Sequence, residues 1–164
     1  MTLNLVILAL VTAARAAELL LARRNTIRLI RRGAVEFGAG HYPLVVALHA
    51  AWLGGLWLLA RDQPIQPIWL VLFALLQVGR VWVLMTLGER WTTRIIVEPA
   101  RPLIRTGPYR FLAHPNYAVV AGEIAVLPLA FALVCYAAAF SVLNAMILAI
   151  RIRAENAALN RPVG

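Results

Sequence analysis

The chain of 164 residues has no lysine, a single cysteine and few charged residues. The lone Cys135 excludes an internal disulfide and a cysteine-based metal cluster, and its apolar neighbours predict a small buried hydrophobe. Charged residues make up 14% of the sequence, whereas hydrophobic residues make up 62%. A water-soluble domain of this size cannot hide so many apolar residues, so the composition predicts an integral membrane protein.

Apolar runs near the length of a bilayer-crossing helix follow one another along the chain. The first three predicted spans cover about residues 3–21, 42–59 and 67–87. The first run lacks the basic start and the cleavage site of a signal peptide, so we interpret it as a retained span. No linker or low-complexity segment divides the sequence, and we expect residues 1–164 to form one all-α membrane domain.

Residues 118–150 form an apolar stretch of 33 residues, which is long for one span and just long enough for two short ones. Pro128 and residues 134–136 are the candidate break points. A single tilted span remains the alternative. We expect a helical hairpin with spans at about 117–133 and 135–152, which brings the total to five.

Arginine is the only cationic residue type besides histidine, and the arginines are clustered. Thirteen of the 16 arginines lie in residues 23–32, 90–110 and 151–161, each next to an apolar run. Such clusters are typical of cytoplasmic loops, and the hairpin would place all three on one face. We therefore expect a multi-pass protein of the cell inner membrane with its N-terminus outside. Nucleic-acid binding is not expected, because no basic stripe with base-stacking aromatics stands apart from the membrane edges.

The segment RTGPYRFLAHPNY at residues 105–117 is polar, although it lies between long apolar runs. Its two X-Pro pairs, Gly107-Pro108 and His114-Pro115, restrict the backbone and predict a loop of defined shape. The loop also carries Tyr109, and it ends at Tyr117. Such a density of donors, acceptors and aromatic faces predicts a small-molecule site.

The same residues also have purely structural explanations, which the sequence leaves open. His114 could cap the helix that begins near Asn116. Tyr109 and Tyr117 could be aromatic residues at the headgroup level of the membrane. Arg151 and Glu155 are four residues apart, so on a helix they could form only a weak ion pair.

Four ionisable residues fall within predicted spans, where an unpaired charge is costly. Arg15 and Glu18 can pair locally on the first span, and Arg80 can meet Glu123 between the third and fourth spans. We expect these residues to hold helices together. Glu123 lies two helical turns beyond His114, so it could instead help to position the side chains that form the site.

The loop at residues 33–43 is interpreted as a flexible connection. Its three glycines match neither a phosphate-binding nor a dinucleotide-binding pattern. His41 and His49 have no acidic residue or cysteine between them, so no metal site is predicted.

The residues from Trp91 onward, WTTRIIVEPARPLIRTGPYRFLAHPNYAVVAGE, are followed some thirty residues later by RIRAEN at 151–156. In these two motifs the chain resembles the isoprenylcysteine carboxyl methyltransferase family of membrane enzymes. It looks most like the bacterial branch that O-methylates polyketide lipids such as alkylpyrones and alkylresorcinols. The resemblance extends over nearly the whole chain through Arg15, Glu18, the GAVEFG loop and residues 41–43.

The resemblance implies a methyltransferase that binds S-adenosylmethionine on the cytoplasmic side and takes a lipophilic acceptor from the bilayer. It carries substrate contact, and hence a catalytic role, onto Arg151. It carries cofactor contact onto Pro102, Leu103, Ile104, Tyr109, His114, Pro115, Asn116, Tyr117 and Glu155.

The chain departs from the family pattern at three places. Ala113 and Asn156 stand where an arginine and a second carboxylate are common, and the sequence ends at Gly164 without a long aromatic tail. We expect the acceptor to be a polyketide hydroxyl or a carboxylate, since Arg151 suits either. A prenylcysteine carboxylate, a phospholipid amine and a non-enzymatic membrane role remain the alternatives. The sequence predicts neither the lipid tail nor the oligomeric state.

Overall fold

The computed structural model describes residues 2–98 and 101–159, which form five helices and a two-stranded ribbon. The helices are α1 (Thr2–Arg31), α2 (Tyr42–Leu59), α3 (Pro67–Leu87), α4 (Pro115–Ala130) and α5 (Val134–Leu159), and the strands are β1 (Val35–Phe37) and β2 (Ile95–Val97). Short 3-10 turns occur at Ala39–His41, Gly88–Arg90 and Gly107–Arg110. Three helices, α2, α3 and α4, begin with a proline in the first turn, where its missing N–H costs nothing.

The helices alternate in direction, so the bundle has two different ends. At one end a buried cluster joins Leu8 of α1, Leu56 of α2, Phe73 of α3 and Leu127 of α4. The ribbon and the described arginines of residues 23–32, 90–110 and 151–159 lie toward the other end. The arginine-rich segments therefore share one end of the molecule, which we call the ribbon end.

The first helix is longer than the sequence suggests. The predicted span ends near residue 21, but α1 continues through the arginine-rich segment to Arg31. Arginine and leucine favour helix, and nothing interrupts the segment until Gly33. Gly33 adopts a φ of 89°, and Ala34 N–H donates to Leu29 O at 3.0 Å, which ends the helix in a Schellman motif.

The interpretation of residues 33–43 as a flexible connection is wrong. Strand β1 pairs antiparallel with β2, with Glu36 opposite Ile96. The Arg94 guanidinium binds Glu36 at 2.7 Å and lies over the ring of Tyr42, 4.5 Å from its centroid. This ribbon is a small exception to the all-α expectation, and it covers the site described below.

Residues 118–150 lie in two helices, α4 and α5, which pack against each other as a hairpin. The turn is at residues 131–133, between the two predicted break points: Pro128 lies within α4, and residues 134–136 begin α5. Ala132 takes a φ of 56°, and Leu133 N–H donates to Pro128 O at 3.0 Å. A second Schellman motif, made without glycine, therefore reverses the chain.

Helices α1, α2, α3 and α5 are each long and apolar enough to cross a membrane, whereas α4 has 16 residues and spans about 24 Å. Many large apolar side chains point outward, as expected of a surface that faces lipid. Cys135 is also exposed, so its prediction as a buried residue is wrong.

The ionisable residues within the helices form one network. Arg15 binds Glu18 at 2.9 Å, and the Arg80 Nε donates to Glu123 at 2.8 Å. Arg80 also reaches Glu18 at 3.2 Å, and Arg15 reaches Glu123 at 3.4 Å. The predicted pairs are thus confirmed, and Glu123 belongs to this network.

Candidate active site

Three side chains from α4 and α5 form the centre of the site. Arg151 Nε donates to the Tyr117 hydroxyl oxygen at 2.8 Å, and this hydroxyl donates in turn to the Glu155 carboxylate. Arg151 Nη2 donates to the backbone carbonyl of Thr93 at 2.6 Å. Arg151 and Glu155, four residues apart on α5, are therefore connected through the Tyr117 hydroxyl rather than by a simple ion pair.

His114 packs on this centre. Its ring stacks on the ring of Tyr117, with centroids 5.2 Å apart and an interplanar angle of 18°. One ring nitrogen lies 3.7 Å from Glu155, and the other lies 3.3 Å from Asn156 Oδ1. His114 is the N-cap residue of α4, as the capping explanation predicts, but its side chain makes no capping hydrogen bond, so the cap does not account for the position of the ring. Asn156 therefore contacts the His114 ring through its amide oxygen.

A cavity of about 250 Å³ lies between the ribbon, the loop after it and the ends of α4 and α5; we call it the polar cavity. Eight of the ten predicted site residues line it: Leu103, Ile104, Tyr109, His114, Asn116, Tyr117, Arg151 and Glu155. Pro102 and Pro115 are not among the lining residues. The Pro102 carbonyl accepts from Arg90 at 2.7 Å, and Pro115 is buried in the first turn of α4.

Tyr109 reaches the polar cavity from a turn that requires glycine. Gly107 has a φ of 56°, and a Cβ there would lie 2.4 Å from Thr86 Oγ1. Burial, and then the charge of Glu155, raises the pKa of Tyr109 to about 12. The phenol is therefore neutral and able to donate at physiological pH. Tyr109 and Tyr117 both line the cavity.

Sequence reasoning missed the contribution of the segment before β2. The Thr93 carbonyl holds Arg151, and the Thr93 hydroxyl lies 3.0 Å from the Tyr42 hydroxyl. Only the short apolar run Ile95–Val97 hinted at a strand, and three residues are too few to show an alternating pattern.

A second cavity, of about 260 Å³, lies among the helices and is lined mainly by apolar groups; we call it the apolar cavity. Five residues line both cavities: Trp91, Thr92, Asn116, Tyr117 and Arg151. The apolar cavity also reaches the ion network, since Arg15, Glu18, His49 and Arg80 are among its lining residues. Arg151 thus stands in the wall between a polar and an apolar compartment.

Three buried polar side-chain atoms have no hydrogen-bond partner among the described residues. They are Arg15 Nε, Trp91 Nε1 and Asn116 Oδ1. A buried donor or acceptor without a partner costs about 1–3 kcal/mol. All three residues line a cavity, and two of them stand in the shared wall. Buried polar atoms in folded proteins are otherwise almost always paired with protein groups or ordered water.

Fold and cavities together indicate a multi-pass membrane protein in which a polar cavity adjoins an apolar one. Comparison with known proteins gives the family. The model of the isoprenylcysteine carboxyl methyltransferase (ICMT) family matches residues 69–161. The chain belongs to this family, as its motifs predict, and so to a class of integral membrane methyltransferases.

Two relatives are similar over almost their whole length. An uncharacterized protein of Bacillus subtilis, YpbQ, is 40% identical over 159 residues, which cover 93% of this chain and 94% of the relative. An uncharacterized protein of Haemophilus influenzae is 26% identical over 161 residues, which cover 93% of this chain and 92% of the relative. No solved structure matches the chain significantly.

Proposed function

We propose that the protein transfers a methyl group from S-adenosylmethionine to a lipophilic acceptor. The observation that carries the proposal is the shared wall of the two cavities, where Arg151 donates to Tyr117 and Tyr117 donates in turn to Glu155 in the polar cavity. A polar donor and a lipid acceptor can meet only where a polar and an apolar compartment adjoin. Positioning two reactants in line supplies much of the rate of such a displacement.

The polar cavity has the groups that S-adenosylmethionine requires. The molecule has an amino-acid end, a sulfonium charge and a flat adenine, so it needs hydrogen bonds, a carboxylate or aromatic face, and apolar slots. Glu155, Tyr109 and His114 offer the polar and aromatic contacts, and Leu103 and Ile104 offer apolar ones.

S-adenosylmethionine would supply the methyl group as the carbon–sulfur bond breaks, with the electron pair staying on sulfur. Arg151 has the role of holding the acceptor oxygen in its anionic form, because an adjacent cation lowers the pKa of a hydroxyl or carboxyl group. Thr93 and Tyr117 fix the guanidinium in place, so little reorganisation is needed on binding. The apolar cavity excludes water from the acceptor.

The proposed acceptor is a hydroxyl of a polyketide lipid or a carboxylate, reached from the bilayer. A prenylcysteine carboxylate and a phospholipid amine are the competing acceptors, and mass analysis of products from candidate lipids separates them. We place the ribbon end on the cytoplasmic side of the inner membrane, where the arginines favour it.

Calorimetry on the purified protein tests the cofactor. We expect S-adenosylmethionine and S-adenosylhomocysteine to bind, and Glu155→Gln to weaken both by about tenfold or more, because a hydrogen bond to a charged group contributes about 1.5–3 kcal/mol. Glu89→Gln is the matched control: Glu89 pairs with Arg32 on the surface and is not among the lining residues of either cavity. Folded protein that binds neither compound would rule out the proposal and favour a non-enzymatic role.

A further inference from the structure

The apolar cavity contains a polar side chain that the proposed methyl transfer does not use. Asn144 of α5 lines this cavity, is 2% exposed, and makes no hydrogen bond with any residue that the structure describes. Unlike the three fully buried atoms without a partner, both polar atoms of this amide keep accessible surface, which faces the cavity that the residue lines. An amide in apolar surroundings is costly unless it is hydrogen-bonded, so the cavity is built to hold a polar group at this point.

His49 of α2 adds a second unpaired polar atom to the same cavity. Its Nδ1 lies 2.8 Å from the Val45 carbonyl, which can only accept, so Nδ1 carries a proton and Nε2 is the acceptor of a neutral ring. Nε2 has no partner among the described residues, and it too keeps accessible surface. The charged residues from α1 and α3 that line this cavity instead pair with one another in the ion network.

His49 and Asn144 lie at about the same depth in the bundle. At the ribbon end, Tyr42 of α2 and Arg151 of α5 meet at Thr93, which contacts the first through its hydroxyl at 3.0 Å and the second through its carbonyl at 2.6 Å. Helices α2 and α5 run antiparallel, and His49 and Asn144 are each seven residues from this layer, on the same helix faces. Seven residues of helix cover about 10 Å, so the two side chains face the cavity about 10 Å farther from the ribbon end.

Together the two side chains select a group that both donates and accepts. The neutral ring of His49 needs a donor at Nε2, whereas the Asn144 amide can donate through Nδ2. A hydroxyl satisfies both. A keto or ester oxygen can only accept, so it would satisfy Asn144 alone, and a methylene group would satisfy neither.

We propose that Asn144 and His49 form a subsite for a hydroxyl group on the chain of the bound lipid, about 10 Å from the oxygen held at Arg151. This inference rests on the proposed function, because it takes the apolar cavity to hold the acceptor with its reacting oxygen at Arg151. An extended chain covers this distance with about eight carbon–carbon bonds, which places the hydroxyl within the chain and not in the head group. The subsite therefore distinguishes lipids by the position of a chain hydroxyl.

Three fatty acids of equal length test the inference: octadecanoic acid, 9-hydroxyoctadecanoic acid and 2-hydroxyoctadecanoic acid. Their carboxylates suit Arg151, and only the 9-hydroxy compound carries a hydroxyl that can reach the subsite. Titration of the detergent-solubilised protein, followed by native mass spectrometry, gives the dissociation constants. We expect the 9-hydroxy acid to bind the wild type about tenfold more tightly than either of the others, as two additional hydrogen bonds allow.

Variants of the two helices assign the preference to the subsite. Asn144→Leu should abolish it while octadecanoic acid binds as before, and His49→Phe should reduce it. Leu143→Ala is the control and should keep the preference, because Leu143 is an exposed residue of α5 that is not among the lining residues of either cavity. Comparing the ratio of dissociation constants between variant and wild type removes differences in how the probes partition into detergent.

Equal binding of the 9-hydroxy and unsubstituted acids to the wild type, equal binding of the two hydroxy acids, or binding of no probe would overturn the inference. So would an unchanged preference in Asn144→Leu, and His49→Phe decides in its place if that variant does not fold. Calorimetry with S-adenosylhomocysteine on the same samples separates the two proposals. The expected preference without S-adenosylhomocysteine binding would leave the subsite standing and refute the methyltransferase proposal, and the opposite result would refute the subsite alone.

Discussion

At the scale of single residues, the proposed methyl transfer depends on how firmly Arg151 is held. Its side chain is 7% exposed, and its guanidinium donates to a tyrosine hydroxyl and to a backbone carbonyl. A guanidinium fixed in this way is oriented before any ligand binds, which is the condition for electrostatic stabilisation without reorganisation. The stacked ring of His114 limits the movement of Tyr117, so the partners of Arg151 are themselves constrained.

Tyr109 gives a prediction about alkaline pH. Its pKa is raised from 10 to about 12, so the folded protein favours the neutral phenol. The resulting contribution to stability is complete below pH 10 and is lost as the pH rises from 10 towards 12. We expect the melting temperature of the detergent-solubilised protein to fall less over this range in Tyr109→Phe than in the wild type. Parallel curves for the two proteins would contradict the raised pKa.

At the scale of secondary-structure elements, helix boundaries could be predicted where a proline or a glycine marks them. Helices α2 and α3 have the expected limits because Pro43, Pro67 and Gly88 mark them. The end of α1 was misplaced because arginines indicate a membrane edge but do not end a helix. The turn at Ala132 could not be located, since alanine gives no sign of a left-handed backbone.

The α4–α5 turn therefore predicts an unusual response to glycine. Ala132 is exposed and has a φ of 56°, which costs a residue with a Cβ about 1 kcal/mol. We expect Ala132→Gly to leave the protein as stable as the wild type or to raise its melting temperature in detergent. Ala138→Gly is the matched control, because Ala138 is exposed within α5 and glycine there should cost about 0.5–1 kcal/mol. A lower melting temperature for Ala132→Gly than for Ala138→Gly would contradict this account of the turn.

At the scale of the whole molecule, the site exists because the hairpin returns α5 to the ribbon end. A hairpin at residues 118–150 is predicted to place the arginine-rich segments 90–110 and 151–161 on one face, and the structure brings Tyr117, which follows the first segment, into contact with Glu155 in the second. The contribution of the segment before β2 could not be predicted. Thr93 acts through its backbone carbonyl, which every residue has, so no side-chain pattern identifies it.

Orientation in the membrane gives the last prediction, and the single cysteine makes it simple to test. Cys135 is exposed in the first turn of α5, at the end of the bundle opposite the ribbon. If the ribbon end faces the cytoplasm, a membrane-impermeant maleimide should label Cys135 in intact cells. In a Cys135→Ser background, Glu89→Cys at the ribbon end should be labelled only after permeabilisation, because Glu89 is exposed on that side. The reverse labelling pattern would invert the proposed topology and place the polar cavity, with Arg151 and Glu155, outside the cytoplasm, away from the supply of S-adenosylmethionine.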